Sequence, residues 1–431
     1  MAYVPPKKQH HMKTYLSAVC AVLVLGGCIA IGYYIMQLQK EKEQGFSICG
    51  LNEEHSMEKL QYQGEVYTVS DYMFYGESLN LFAKQYQAEK QDSVKRKSIE
   101  LSNLCNGDSL VYTMESGADR QIDVSELEDG FYSLSINDEL VKKRLVYAEE
   151  LHSEPFYTVT RDGENKKLTL LADASMTEPS LKDHALFLKV ESEKAPKDFY
   201  DVFIDPYGNR ILNGVYQPSV SGNGLNEASE MQWAAEYLKQ KLEEQGLSVM
   251  LAKTDANEAL GYYGEQGIMK KAYASNAKYY IELGMNVSDQ SAYRGMEIYY
   301  SNYASKTLPN SLMYALKTQT SITPGNAYTW ENHSEGVSAA FLATGKDGKQ
   351  IYDMQPSIRE SGGRITLAAQ YSDVAAENKD FVNSTHQGMQ ALSVNFIYVS
   401  NAKDAAKWKK EKQQIMDVLA DAFGKAIHVN K

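Results

Sequence analysis

The pattern of apolar and polar positions divides the chain into three kinds of segment, and the first is an uncharged apolar run over residues 15–36. A helix of about 20 apolar residues spans the hydrocarbon layer of a bilayer, so we predict a transmembrane helix over residues 15–37. Lys7, Lys8 and Lys13 precede the run, which places residues 1–14 in the cytoplasm and the main domains outside. The charged residues 38–60 predict a stalk.

A cleaved signal is the alternative for this segment, since Leu25-Gly26-Gly27-Cys28 resembles a lipoprotein signal with Cys28 as the lipidated residue. The apolar run continues past Cys28 to Met36, whereas a lipoprotein normally enters a polar tether there. We therefore favour the uncleaved anchor.

Residues 61–195 show short β-prone runs separated by turn signals such as Asn106-Gly107 and Asp129-Gly130. The runs lie at residues 65–69, 109–113, 131–136, 156–159 and 167–171. They predict a small β-sandwich-like module. Nothing in the pattern indicates a functional site there, so we interpret the module as a spacer or interaction module.

After a polar boundary at residues 172–199, strands and helices alternate to the end of the chain, which predicts an α/β domain over residues 200–428. Helices are predicted over residues 227–245, 264–275, 308–317 and 405–427, and strands over residues 202–204, 248–251, 279–283, 295–300 and 393–399.

Charge and cysteine content narrow the functional classes. The chain carries −12, and residues 1–45 hold five lysines and two glutamates, so the remainder carries −15. Such an acidic region repels phosphate backbones and argues against nucleic-acid binding. Cys49 and Cys105 follow the apolar run and form a disulfide or remain as thiols; the sequence leaves both possibilities open.

Five segments of the α/β domain carry a family resemblance. They are Ile204-Asp205-Pro206, Gly224-Leu225-Asn226-Glu227, residues 276–283, Arg294-Gly295-Met296-Glu297-Ile298-Tyr299-Tyr300 and residues 393–401. In this order they resemble the type 3 N-acetylmuramoyl-L-alanine amidases over residues 200–428. The resemblance implies a helix-flanked, mostly parallel twisted sheet and hydrolysis of the amide between muramic acid and the first stem-peptide residue.

The same resemblance implies a zinc ion held by two histidines and a glutamate, with a second glutamate as general base. The ligand glutamate falls on Glu227, whereas the histidines fall on Gly208 (Tyr207 if the loop is shifted) and Gly284, and the base falls on Asn395. A lone carboxylate holds zinc poorly, and an amide cannot act as a base near neutrality. His333, His386 and His428 lie in loop-like segments or at the chain end, so we expect no replacement ligand and no cofactor.

Asp205, Tyr207 and Glu282 are further cleft candidates. Asp205, Glu227 and Glu282 could form an oxygen-rich pocket for Ca²⁺ or Mg²⁺. The alternative, which we favour, is that each carboxylate is hydrogen-bonded separately.

These observations predict a membrane-anchored extracytoplasmic cell-wall protein whose amidase-like domain binds peptidoglycan or regulates wall remodelling without catalysis. One alternative is an active amidase with zinc on atypical ligands. Another is a structural partner of other envelope proteins. Stacking surfaces for sugars could come from Tyr207, Tyr262, Tyr263, Tyr293, Tyr299 and Tyr300, of which we expect about half to be core residues.

Overall fold

A computed structural model describes residues 47–81, 97–114, 122–138, 140–159, 164–290, 292–302, 304–327, 333–346, 348, 351–363, 368–382 and 386–427. The chain divides after Gln61 into two compact units, residues 1–61 and residues 62–431. The predicted transmembrane helix and the lipoprotein-like Cys28 lie outside the described residues.

Among the residues that the structure describes, no helix has both the length and the apolar character needed to cross a bilayer.

In the first unit, helix α1 (Glu53–Leu60) replaces part of the predicted stalk. It begins at Asn52, whose side chain accepts a hydrogen bond from the His55 N–H, a typical N-cap.

Both cysteines of the described residues, Cys49 and Cys105, are disulfide-bonded, which answers the question that the sequence left open.

The β-rich module begins the second unit. Its strands are β1 (Val66–Val69), β2 (Met73–Tyr75), β3 (Ser78–Asn80), β4 (Lys97–Asn103), β5 (Ser109–Met114), β6 (Ile122–Asp123), β7 (Gly130–Asp138), β8 (Val141–Tyr147), β9 (Leu151–His152), β10 (Phe156–Val159), β11 (Asn165–Ala172), β12 (His184–Ala185) and β13 (Phe187–Ser192).

The strands of the module belong to two sheets that share one apolar core, and β2, β3 and β6 lie in the smaller sheet. Ten of them belong to one continuous, largely antiparallel sheet, in which β7 pairs with β4, β8 and β13. Residues 131–136 of β7 are all buried, so this strand is covered on both faces. Apolar side chains of the module, including Ile99, Leu134 and Leu168, pack into a core of their own.

The α/β domain contains the remaining strands. They are β14 (Val202–Pro206), β15 (Arg210–Leu212), β16 (Val215–Gln217), β17 (Ser221–Gly222), β18 (Leu225–Asn226), β19 (Val249–Leu251), β20 (Tyr279–Asn286), β21 (Glu297–Tyr300), β22 (His333–Ser334), β23 (Val337–Ala339), β24 (Leu342–Thr344), β25 (Ile351–Asp353), β26 (Gln387–Gly388) and β27 (Gln390–Tyr398).

The predicted mostly parallel sheet is confirmed. Its strand order is β19-β14-β20-β27-β21-β23-β22. Strands β19, β14, β20 and β27 run parallel to one another, and β21 runs parallel to β23. Only β21 against β27 and β22 against β23 are antiparallel in this sheet.

Helices cover both faces of this sheet. They are α2 (Glu227–Glu244), α3 (Ile268–Ala274), α4 (Thr307–Gln319), α5 (Pro356–Ile358), α6 (Lys379–Val382) and α7 (Ala402–Ala426). One face packs Ile204 and Ile281 against α2, α4 and α7. The other packs Phe203 and Tyr280 against α3 and the segment around Ile358, as expected from the alternation of side chains along a strand.

The β-rich module joins the α/β domain at the amino end of the parallel strands. Strand β2 pairs with β26, and Lys278, just before β20, forms ion pairs with Glu77 of the module at 2.8 Å and with Asp201 at 2.9 Å. A cavity of about 570 Å³ lies at this joint, and its lining includes Tyr157 and Lys278 but none of the predicted site residues.

Candidate functional site at the carboxyl edge of the sheet

The structure brings the four amidase ligand and base positions together. The Tyr207 N–H donates to the Leu283 carbonyl at 2.8 Å, so the chain after β14 runs beside the end of β20. Gly284 pairs with Asn395 across β20 and β27. A bulge between Gly284 and Asn286 frees the Met285 N–H, which donates to Glu227 Oε1 at 2.8 Å. The site therefore lies where α2 begins at the carboxyl edge of the sheet.

Gly208 leaves no space for a side chain. Its φ is +148°, and a Cβ there would lie 2.8 Å from both Cα and Cβ of Ala228. Since one of these atoms is backbone, the contact cannot be relieved by rotating a side chain. The loop that contains Gly208 therefore packs directly on the start of α2, at the position to which the family resemblance assigns a histidine.

The space beside Gly284 is occupied by the side chain of Asn395, on the neighbouring strand. A Cβ at this position would lie 2.7 Å from Asn395 Oδ1 and 3.6 Å from Glu227 Oε1. Asn395 is held there by a hydrogen bond from its Nδ2 to Ser393 Oγ at 3.3 Å. The Asn395 amide thus points towards the position where a histidine side chain would begin.

Glu227 is the retained carboxylate, and it is only 1% exposed. It is the first residue of α2, held by the Asn226 cap that accepts from the Ser229 N–H. Its Oε2 has no hydrogen-bond partner among the described residues. Burial raises the pKa of Glu227 to about 7, although the Met285 N–H and the charge of Arg210 oppose the rise.

Asp205 is fully buried and bonded within the protein. Arg210 Nη2 donates to its Oδ1 at 2.7 Å, and the Tyr280 hydroxyl donates to its Oδ2 at 2.6 Å. Arg210 is also fully buried, and its guanidinium lies 4.5 Å from the ring centre of Tyr207 and 5.6 Å from that of Tyr262.

Glu282 is 3% exposed and accepts three hydrogen bonds. The donors are the hydroxyls of Tyr262 and Ser393, at 2.8 and 2.9 Å, and Gln355 Nε2 at 2.8 Å. Burial and the charge of Asp205 raise the pKa of its carboxyl. Through Gln355, the segment after β25 covers this part of the sheet.

Each carboxylate is therefore bonded separately, as favoured from the sequence, and the three do not form an open oxygen-rich pocket. Asp205 and Glu282, which the sequence offered as cleft candidates, are 0% and 3% exposed. Tyr207 is partly exposed, with its ring against Arg210.

Zinc does not fit these residues. Among the described residues, no three His, Cys, Asp or Glu side chains are grouped to hold a metal ion. His386 lies at the β-rich module, stacked on Tyr72 with ring centres 4.3 Å apart, and the backbone of His333 lies in the edge strand β22. His428 lies outside the described residues.

Sequence reasoning missed four polar partners of this site: the buried Arg210, Lys253 and Tyr280 and the half-buried Gln355. Arg210 stands in a turn-rich stretch of Gly and Asn, a context that indicates an exposed residue. No signal in the single sequence identifies its burial, because the strands that cover it come from distant parts of the chain.

The sheet, its helices and a buried glutamate at the start of α2 define an α/β domain with its site outside the carboxyl ends of parallel strands. The family model described as N-acetylmuramoyl-L-alanine amidase matches residues 212–428. The chain belongs to this family.

Solved structures of this family resemble the chain at low identity. The amidase AmiC2 of Nostoc punctiforme is 15% identical, over 54% of this chain and 96% of that one, with a TM-score of 0.32. Ami1 of Mycobacterium smegmatis is 14% identical, over 53% and 96%, with a TM-score of 0.35. The catalytic domain of CwlV from Bacillus (Paenibacillus) polymyxa var. colistinus is 18% identical, over 53% and 96%, with a TM-score of 0.33. A comparison with curated proteins finds no match.

Proposed function

We propose that this protein is a membrane-anchored, extracytoplasmic member of the amidase family that binds peptidoglycan without cleaving it. The observation that carries the proposal is the closure of the first histidine position, because a side chain at Gly208 would overlap the Ala228 backbone. The other position is a glycine, Gly284, with Asn395 Oδ1 2.7 Å from where its Cβ would lie. Metal and base are lost together, and each loss by itself disables the hydrolysis.

Tyr207 supports binding to a glycan, because it is partly exposed at the carboxyl edge. Of the other tyrosines considered from the sequence, Tyr262 and Tyr299 are 4% and 8% exposed and belong to the core, whereas Tyr263, Tyr293 and Tyr300 are partly exposed. Aromatic faces pack against the apolar faces of sugar rings. Tyr207 is the best placed, because it lies beside Gly284 at the carboxyl edge.

Co-sedimentation of the full-length, detergent-solubilised protein with purified peptidoglycan sacculi tests whether the protein binds the cell wall. We expect retention of the wild type and weaker retention of Y207A. The control is Y314A, since Tyr314 is 65% exposed on α4. Retention no greater than that of an unrelated membrane protein would exclude direct wall binding.

Metal content and product release test the absence of catalysis. We expect no stoichiometric zinc in the purified protein and no stem peptides released from sacculi. One tightly held zinc per chain together with released peptides would establish an active amidase instead.

The membrane anchor has a separate experiment. The uncharged residues 15–36 and the preceding lysines support a single span with a cytoplasmic N-terminus. We expect the protein to stay in the membrane pellet after alkaline extraction, and C28A to behave identically. Release of C28A alone would favour the lipoprotein alternative.

A further inference from the structure

Three carboxylates at the carboxyl edge are almost completely buried. Asp205 is 0% exposed, Glu227 1% and Glu282 3%. Transfer of ionised carboxylates from water into a protein interior is costly unless a positive charge accompanies them. Zinc supplies such a charge in the zinc-dependent amidases that this chain resembles. The residues of this chain do not fit zinc.

Arg210 places a positive charge among these carboxylates. It is fully buried and bonded to Asp205 at 2.7 Å, and its charge also acts on Glu227 and Glu282. Tyr207 and Tyr262 flank the guanidinium, so the cation is held by aromatic rings as well as by Asp205.

Hydrogen bonding alone does not explain this position. Arg210 Nε and Nη1 are buried and have no hydrogen-bond partner among the described residues. A side chain that leaves buried donors unpaired contributes mainly through its charge, since each unpaired donor opposes folding.

Lys253 is a second buried cation close to these carboxylates, but it is a less reliable source of positive charge than Arg210. Its Nζ donates to the Glu258 carbonyl at 3.1 Å. A buried lysine can lose its proton, whereas an arginine stays charged at any physiological pH. The permanent charge in this cluster therefore belongs to Arg210.

We propose that Arg210 takes the place of a metal ion: its guanidinium, supplied by the chain itself, provides the positive charge that the Asp205, Glu227 and Glu282 carboxylates share. The inference rests on the proposed function, because it presupposes a site without zinc. It explains how the fold keeps a carboxylate-rich interior after losing its metal ligands.

Replacement of Arg210 by alanine tests the proposal, because it removes the charge and opens space beside the three carboxylates. Oxygen ligands of this kind favour Ca²⁺. Full-length R210A should lose thermal stability, bind Ca²⁺ about tenfold or more tightly than wild type, and recover stability with millimolar CaCl₂. Calorimetry and thermal unfolding measure these effects, and D205N/R210A should lose the Ca²⁺ binding.

Arg144→Ala is the matched control. Arg144 is also buried, at 5% exposure, and forms its ion pair with Glu178 at 3.9 Å. R144A should lose stability without gaining affinity for Ca²⁺, because its site offers one carboxylate rather than three. Equal Ca²⁺ responses of R210A and R144A, or none in R210A, would overturn the inference.

A second pair of variants covers the case in which R210A does not fold. R210K keeps the charge and R210M keeps the length without it, so R210K should melt at the higher temperature. An R210M protein as stable as R210K would show that the charge is not what Arg210 contributes. A wild type with stoichiometric zinc would instead contradict the proposed function itself.

Discussion

Single residues decide what the carboxyl edge can do. Glu227 keeps the family's carboxylate, but burial changes its chemistry by raising its pKa to about 7. Gly208 does more than omit a ligand, because backbone and Cβ atoms of Ala228 occupy the space in which a side chain would begin. Restoring the histidines alone would therefore not restore a zinc site.

Glu227 makes the stability of the fold depend on pH. Its pKa rises from 4.5 when unfolded to about 7 when folded. Between these values the folded state keeps a proton that the unfolded state has released, so stability falls as pH rises from about 4.5 to 7. In E227Q this loss disappears, and its stability relative to wild type should increase by about 3 kcal/mol across that window.

Urea unfolding at several pH values measures this difference. E236Q is the control, because Glu236 is exposed on the same helix and its profile should parallel that of the wild type. A difference between E227Q and wild type that does not change with pH would contradict the assignment.

Gly208 provides a second residue-scale prediction. G208A should lose about 2–3 kcal/mol more than G214A, since overpacking against backbone adds to the cost of a positive φ. Gly214 also has a positive φ, +76°, but a Cβ there meets nothing within 4 Å. Chemical denaturation of both variants compares them directly, and equal losses would show that the loop can move away from α2.

Among the elements, helix α2 connects the site to the sheet. Asn226 caps it, and the Asn226 Nδ2 also donates to the Ser219 and Ser221 hydroxyls at 3.0 and 2.9 Å. One side chain therefore fixes both the first turn of the helix and the loop that precedes it. The helix dipole adds a positive partial charge beside Glu227.

N226A should lower stability by about 1 kcal/mol or more, because the cap and both hydroxyl contacts disappear. N226D keeps the capping oxygen and should stay closer to wild type. Thermal unfolding distinguishes the two variants. If N226D were as unstable as N226A, the hydroxyl contacts rather than the cap would be the main contribution.

At the scale of the whole second unit, opposite edges of one sheet serve different purposes. The amino edge holds the β-rich module through β2, β26 and Lys278, and the carboxyl edge holds the candidate site. Because parallel strands bring all their carboxyl ends to one side, the module can be attached without covering that site.

Lys278 is the main electrostatic contact of this joint. It is 6% exposed between Glu77 and Asp201, and the charges of these two carboxylates raise the pKa of its ammonium group although burial opposes the rise. K278M leaves two carboxylates, 18% exposed or less, without their cation and should cost about 3–5 kcal/mol.

The control is K189M, whose ion pair with Glu191 is half exposed on both sides and should change stability by less than about 1 kcal/mol. Urea unfolding compares the two variants. A loss in K278M no larger than in K189M would show that strand pairing alone holds the module.

Local sequence patterns determined five strands of the large sheet and the four longest helices of the α/β domain. The apolar stripe of α2 and the runs of β14, β20 and β27 identified helices and strands within a few residues, because periodicity follows from local geometry. Short motifs in a fixed order also indicated the family and the four positions of its site.

Only the tertiary structure decided how those positions are filled. The sequence gives no sign that Ala228 lies against Gly208, that Asn395 faces Gly284, or that Arg210 is buried among carboxylates. It also gives no sign of which strands of the β-rich module pair, since strand pairing joins residues far apart in the chain. Local chemistry is written in order along the chain, whereas packing and buried charge depend on neighbours that only the folded sheet brings together.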